Sequence, residues 1–158
     1  MKRLLAFVAV ALISLLTAPS LLAQTPLLGT WTLNVAKSKS SSGTLPKSLT
    51  RTVEAQGDMV KYSFVGTAAD GKAIAWSFAV AYDGKDYPIT GSGASGGADS
   101  IAIKQLSPTS FRATMKKAGE PILETKVSIS KDGKTTTLIQ TNAPGKPRVR
   151  NISVYDKQ

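Results

Sequence analysis

The sequence contains no cysteine and no histidine. These absences exclude a thiol nucleophile, an imidazole general base, a disulfide framework and most transition-metal sites. Acidic residues are also scarce, at 10 against 20 lysines and arginines, and Asp58, Asp70, Asp83 and Asp132 stand in turn-forming contexts. The facing carboxylate pair that glycoside hydrolysis requires is therefore not evident. We predict a protein that is not an enzyme and that uses no metal or cofactor.

Long apolar runs are missing everywhere except at the N-terminus. A positive pair precedes an apolar stretch that reaches Leu22, and Ala23 offers a small residue for cleavage, which is typical of an export signal. The alternative is an uncleaved membrane anchor, and Pro19 counts against it because proline breaks an apolar helix. We expect residues 1–23 to be a signal peptide and residues 24–158 to form one secreted or periplasmic domain without a membrane span.

Clusters of basic residues are absent too. Eighteen of the 20 lysines and arginines lie after residue 23 together with all 10 acidic residues, so that part carries a net charge of +8. A nucleic-acid-binding protein concentrates its cations in a patch or stripe. Because the cations of this chain are scattered, we expect their charge to serve solubility and we expect no nucleic-acid partner.

What the chain does have is regular turn punctuation. Glycine-centred turns recur at residues 57, 71, 84, 119, 133 and 145, and three of them read Asp-Gly-Lys. Glycine accepts the positive φ of a hairpin turn, and the aspartate bonds its own backbone. Between the turns, apolar and polar side chains alternate, which is typical of half-buried strands. We predict about nine strands, with a short extra one at Tyr87–Thr90: Gly29–Asn34, Leu49–Ala55, Val60–Phe64, Ala73–Tyr82, Ile101–Lys104, Phe111–Lys116, Leu123–Ile129, Thr135–Thr141 and Arg148–Tyr155.

A meander of this length leaves exposed edges unless the sheet closes on itself. The fold class that we predict is therefore all-β, an antiparallel up-and-down β-barrel of about 8–10 strands.

Gly29-Thr30-Trp31 on the first predicted strand resembles the opening motif of the lipocalins and fatty-acid-binding proteins. The resemblance implies an antiparallel barrel that holds apolar small molecules. It also implies that Trp31 plugs one end, that Gly29 lets a neighbouring backbone approach, and that Arg148 or Arg150 lies over the indole ring in a cation–π contact.

The C-terminal end carries both a likeness and a departure. Val154 to Lys157, with the repeated Asp-Gly-Lys turns, is similar to small exported lipocalin-like proteins of bacteria. Fatty-acid-binding proteins grip a carboxylate with an Arg-x-Tyr triplet near this point. Here the triplet is Ser153-Val154-Tyr155, which lacks the arginine.

Two arginines fall on apolar strand faces: Arg51 lies between Leu49 and Val53, and Arg150 shares its face with residues 152 and 154. A buried arginine needs a partner, which is either an anionic ligand or a group within the fold. We predict a ligand site with Arg51 or Arg150 as the polar contact and with a wall formed by Tyr62, Phe64, Trp76, Phe78 and Phe111.

The segment from Ala73 to Tyr82 carries no charge, and one of its faces holds only alanine and serine. Three interpretations of this small face are open. It is covered by a loop or a second subunit, it lines the interior, or it is simply exposed. Two functions follow from these readings. The first is a carrier of a small apolar or amphipathic ligand, with a cavity of a few hundred cubic ångströms. The second is a filled barrel that contacts another protein or the cell envelope, including a homodimer through Ala73 to Tyr82.

Overall fold

Twelve strands and two short 3-10 turns form the regular structure of residues 25–42, 44–145 and 150–158, the part of the chain that the computed structural model describes. No helix in these ranges is long and apolar enough to cross a membrane. The predicted signal peptide at 1–23 lies outside them. The strands are β1 (Gly29–Leu33), β2 (Lys39–Ser40), β3 (Ser48–Gln56), β4 (Met59–Thr67), β5 (Ala73–Val80), β6 (Asp83–Pro88), β7 (Thr90–Ser92), β8 (Ser100–Ser107), β9 (Ser110–Lys117), β10 (Glu120–Ile129), β11 (Thr135–Asn142) and β12 (Arg150–Lys157).

The strands pair antiparallel in one sheet, in the order β6-β8-β9-β10-β11-β12-β1-β3-β4-β5-β7, and β2 adds to β12. The segment 83–92 brings the two ends of this sheet together. Its first half, β6, pairs with β8, and after Ile89 its second half, β7, pairs with β5. The predicted antiparallel barrel is thereby confirmed as nearly closed. The strand count exceeds the expected 8–10 because this segment divides and β2 is a strand of only two residues.

The three Asp-Gly-Lys turns form as predicted. In each, the aspartate Oδ1 accepts the backbone N–H of the lysine two residues later, at 3.0 Å for Lys72, 3.0 Å for Lys85 and 3.1 Å for Lys134. All three central glycines have positive φ, which a Cβ would oppose. These local bonds fix where one strand ends and the next begins.

On β5 the large side chains point inward and the small ones outward. Ile74, Phe78 and Val80 are buried, whereas Ala73 and Ala75 are exposed. The reading in which the small face lines the interior is therefore wrong. The physical reason is that the large side chains bury far more apolar surface than alanine does.

Strand β12 faces the opposite way from the expectation. Tyr155, the cross-strand partner of Leu33, is buried, so alternation brings Ser153 inside and turns Val154 outward. Arg150, on the same outward face, is exposed and does not reach the interior. Burial of the tyrosine ring sets the phase of the strand and outweighs the burial of its β-branched neighbours.

Candidate functional site

The barrel encloses a cavity of about 240 Å³. Six of the seven side chains predicted to contact a ligand line it, and they come from β3, β4, β5 and β9. Arg150 is the exception, because β12 presents its other face to the cavity. The six lining side chains are Arg51, Tyr62, Phe64, Trp76, Phe78 and Phe111.

Four aromatic side chains on β4 and β5 form one side of the cavity, which we call the aromatic wall: Tyr62, Phe64, Trp76 and Phe78. Cross-strand register pairs Phe64 with Trp76 and Tyr62 with Phe78. The first pair stacks with ring centroids 4.0 Å apart and planes 3° apart, and the second with 4.8 Å and 14°. The rings turn their faces to one another, and the stack gives this side of the cavity a continuous apolar character.

Trp31 is buried in the core beside the segment that precedes β1. Its ring is fully buried and its Nε1 donates to the carbonyl oxygen of Leu27 at 2.7 Å. Two cations lie near the indole, Arg51 with its Cζ 5.3 Å and Lys157 with its Nζ 5.1 Å from the ring centroid. The expected contact from Arg150 is therefore wrong, and Arg148 lies outside the described residues.

Gly29 lies against the side chain of Lys157, a neighbour that the sequence did not indicate. A Cβ there would stand 3.0 Å from the Lys157 side chain, and the residue has φ +119°. The close neighbour is thus a lysine side chain, where a backbone was expected. Gly29 makes room for the cation that lies beside Trp31.

Arg51 brings a positive charge into the interior. It is 2% exposed, and its Nη2 donates to the Thr136 hydroxyl at 2.7 Å. Its Cζ also lies 4.9 Å from the ring centroid of Tyr155, but its Nε is buried without a partner. Burial lowers the pKa of Arg51, although a guanidinium stays protonated in a protein. No carboxylate in the described part of the chain forms an ion pair with it.

Tyrosine hydroxyls surround the same region. The Tyr62 and Tyr82 oxygens are 2.5 Å apart and share a hydrogen bond. Burial raises the pKa of Tyr62 well above its ordinary value, and Tyr82 adds to the shift. Burial also raises the pKa of Tyr155, against the opposing charge of Arg51. These tyrosines are neutral at physiological pH and leave the arginine charge uncompensated.

Polar side chains, together with Val127, Leu138 and Tyr155, line the side of the cavity formed by β10, β11 and β12. We call the polar members of this set, which the sequence analysis missed, the polar wall: Thr125, Gln140, Asn151 and Ser153. In the sequence, Thr125 lies on an otherwise apolar strand face, and this could have indicated a polar group in the site. The inward position of Asn151 and Ser153 had no such signal, because apolar residues occupy the opposite face of β12.

Loop residues complete the cavity lining. Thr44, Leu45 and Pro46, between β2 and β3, belong to it, together with Ser95 of a 3-10 turn. These loops therefore contribute both apolar and hydroxyl groups to the site.

Acidic side chains are absent from the cavity lining that the described residues form. Across residues 25–42, 44–145 and 150–158, no three acidic side chains lie close enough to hold a metal ion. Arg51 is the one formally charged group in the cavity lining given by those residues. The arrangement can bind and orient a molecule through stacking, hydrogen bonds and one positive charge.

Comparisons with known proteins agree with this geometry. No protein-family profile matches the sequence, and no curated protein does. The zebrafish ileal bile acid-binding protein complexed with cholic acid superposes with a TM-score of 0.51 at 9% identity, over 84% of this chain and 99% of the zebrafish chain. The chain therefore has a lipocalin-like fold, a nearly closed antiparallel β-barrel.

Designed barrels are also similar to this barrel. A redesigned β-barrel bound to DFHBI has a TM-score of 0.48 at 11% identity, over 86% of this chain and 99% of its own. A de novo fluorescence-activating barrel has 0.46 at 15% identity, over 86% and 96%. At these identities the likeness concerns the fold alone, and the residues of this cavity must be interpreted by their own chemistry.

Proposed function

We propose that this chain is an exported, non-enzymatic protein that binds a small, partly apolar molecule inside its barrel. The observation that carries the proposal is the cavity of about 240 Å³, lined by stacked aromatic rings and one buried cation. Small-molecule pockets combine apolar walls with a few placed polar groups. An apolar cavity of about 150 Å³ already admits benzene. The volume therefore suits a compound of one or two rings, or a short chain.

The buried Arg51 is the reason for expecting a negative charge on that molecule. A buried charge is costly unless it is paired, and the described residues supply no carboxylate to pair with it. A carboxylate on the ligand would provide the missing partner through charge-assisted hydrogen bonds. The zebrafish protein of the same fold is complexed with cholic acid, which supports an organic acid here.

The competing function was a filled barrel that acts as an interaction module. That function predicts a packed interior, and a cavity of about 240 Å³ counts against it. The homodimer through Ala73 to Tyr82 stays a prediction. Its small face lies outward with Ala73 and Ala75 exposed, so it leaves the interior site unobstructed.

Calorimetric titration with 2-naphthoate and its neutral isostere naphthalene-2-carboxamide tests the proposal. Hydrogen bonds to a charged group contribute about 1.5–3 kcal/mol. We therefore expect Arg51→Met to weaken naphthoate binding by roughly 10- to 100-fold and to leave carboxamide binding nearly unchanged.

Arg112→Met is the matched control, because Arg112 is exposed on the outer side of β9. It should leave both affinities unaltered. The proposed function would be overturned if neither compound bound, or if Arg51→Met and Arg112→Met weakened naphthoate binding equally. A melting curve for each variant establishes that it is folded.

A further inference from the structure

The polar wall contradicts the simplest expectation for a carrier of an apolar chain. On β12, Asn151 and Ser153 face the cavity while Ile152 and Val154 face outward. A cavity for a purely apolar ligand would gain by the reverse arrangement, since apolar groups would then meet the ligand. Departures from the apolar pattern in a native interior concentrate at functional sites.

Three members of the polar wall are direct neighbours across the sheet. Register pairs Thr125 with Gln140 and Gln140 with Asn151, so their side chains form one row over three strands. Ser40 donates to Asn151 Oδ1 at 2.8 Å, which directs the amide nitrogen away from that bond. The Gln140 amide makes only a 4.0 Å contact with the sulfur of Met115.

This row keeps hydrogen-bonding capacity that the fold does not use. Within the described ranges, no side chain or backbone group bonds the Thr125 hydroxyl, the Gln140 carbonyl oxygen or the Asn151 amide nitrogen. Thr125 is itself 6% exposed. Among the side-chain nitrogen and oxygen atoms of those ranges, Arg51 Nε alone is fully buried without a hydrogen-bond partner. The unbonded atoms of the polar row are therefore not fully buried, and their residues line the cavity.

The strand order places the polar wall across the cavity from the aromatic wall. Strands β1 and β3 separate β12 from β4 on one side, and β8, β9 and the segment 83–92 separate β10 from β5 on the other. A ligand can therefore pack its apolar part against one wall, for example with a ring against the aromatic edges, and present a polar group to the other. A saturated chain would leave the polar groups unpaired, which costs about 1–3 kcal/mol for each buried group.

Spacing along β11 relates the polar row to the buried charge. Thr136, which accepts from Arg51, and Gln140 both face inward and stand four residues apart, about 13 Å at a rise of about 3.3 Å per residue. The two side chains and the hydrogen bonds that they form occupy part of this distance. The interval between them suits a rigid two-ring molecule with one polar group at each end.

We propose that the cavity selects a planar aromatic acid that carries a hydroxyl or carbonyl group at the end remote from its carboxylate. The carboxylate meets Arg51, the rings lie on the aromatic wall, and Gln140 and Asn151 bind the distal polar group. This inference rests on the proposed function and specifies its ligand class.

The test compares three probes by calorimetry: 6-hydroxy-2-naphthoate, 2-naphthoate and decanoate. We expect the hydroxynaphthoate to bind about tenfold more tightly than naphthoate, the gain of one well-placed hydrogen bond, and decanoate to bind most weakly. Asn151→Leu and Gln140→Leu should remove this preference, so that each variant binds the two naphthoates with equal affinity. Thr141→Val, on the outward face of β11, is the matched control and should keep the preference.

The outcomes separate the two proposals. Equal affinities for the two naphthoates, tightest binding of decanoate, or a preference that survives both leucine substitutions would overturn the selectivity and leave the carrier function standing. Binding of none of the three probes would overturn the carrier function itself. If a leucine variant fails to fold, the ranking of the three probes on the unsubstituted protein still decides.

Discussion

Opposite walls of one cavity follow different rules in this barrel. On β4 and β5, alternation places large aromatic side chains inside, and the outward side chains are small or polar apart from Met59 and Val65. On β12 the same alternation places Asn151 and Ser153 inside and leaves Ile152 and Val154 on the outer face. All three elements are antiparallel strands, so the difference lies in their side chains and not in the backbone.

The contrast indicates a division of work between the walls. Burial of the aromatic rings removes apolar surface from water, at about 25 cal/mol for each Å², and so stabilises the fold. Burial of unbonded amides and hydroxyls contributes little or opposes folding. The aromatic wall therefore stabilises the fold by itself, whereas the polar wall gains a role only through the ligand that we propose.

The largest expected effect comes from breaking the aromatic wall. Phe78→Ala should lower the free energy of unfolding by about 3–5 kcal/mol, because the ring is buried and packs against Tyr62 and Trp76. Urea denaturation followed by circular dichroism measures it. Lys61→Ala, on the exposed face of β4, is the control and should stay within about 0.5 kcal/mol. Similar losses in both variants would contradict the inward orientation of this wall.

The fold was largely predictable because its signals are local and repeated. Each Asp-Gly-Lys turn is settled by a glycine with positive φ and an aspartate that bonds its own backbone. The alternation in β4, β5 and β9 agrees with the burial of large side chains, so the five predicted aromatic lining residues reach the cavity. Partner exchange at Ile89 was not predictable, because it depends on where both sheet ends meet.

The polar half of the site was not predictable for a physical reason. Alternation defines two faces of a strand but says which one is inward only through the balance of burial. On β12 that balance depends on Tyr155, whose ring lies beside Arg51, a residue far away in sequence. The partner of Trp31 was misassigned for the same reason, since Arg51 on β3 is its cross-strand neighbour.

Alkaline pH should have an intermediate effect on stability, and this effect distinguishes Tyr62 of the aromatic wall from Tyr155 beside Arg51. Tyr62 keeps its proton in the folded state above the ordinary tyrosine pKa of about 10, because burial raises its pKa. The unfolded chain loses that proton, so stability is complete below about pH 10 and declines above it, by up to about 1.4 kcal/mol per pH unit for each such tyrosine.

Tyr62→Phe should therefore flatten the decline in urea stability above about pH 10 more than Tyr155→Phe does, because the charge of Arg51 opposes both pKa shifts whereas the hydrogen-bonded Tyr82 adds only to that of Tyr62. Tyrosinate absorbance on the same samples reports the ionisation directly. An unchanged slope in Tyr62→Phe, or a larger change in Tyr155→Phe, would contradict this ranking.

The smallest effect, and the sharpest test of the contrast, comes from exchanging the two faces of β12. Ser153→Val should raise the free energy of unfolding by up to about 1 kcal/mol, since it adds buried methyl groups beside its cross-strand partner Leu138. Val154→Ser, the reverse change on the outward neighbour, should cost less than about 1 kcal/mol, because that side chain is only half-buried. If β12 presented its apolar face to the cavity, Val154→Ser would instead cost about 2–3 kcal/mol and Ser153→Val would change little. A gain in stability from Ser153→Val would mean that the native serine is retained at the expense of stability, which is the pattern expected of a residue kept for binding.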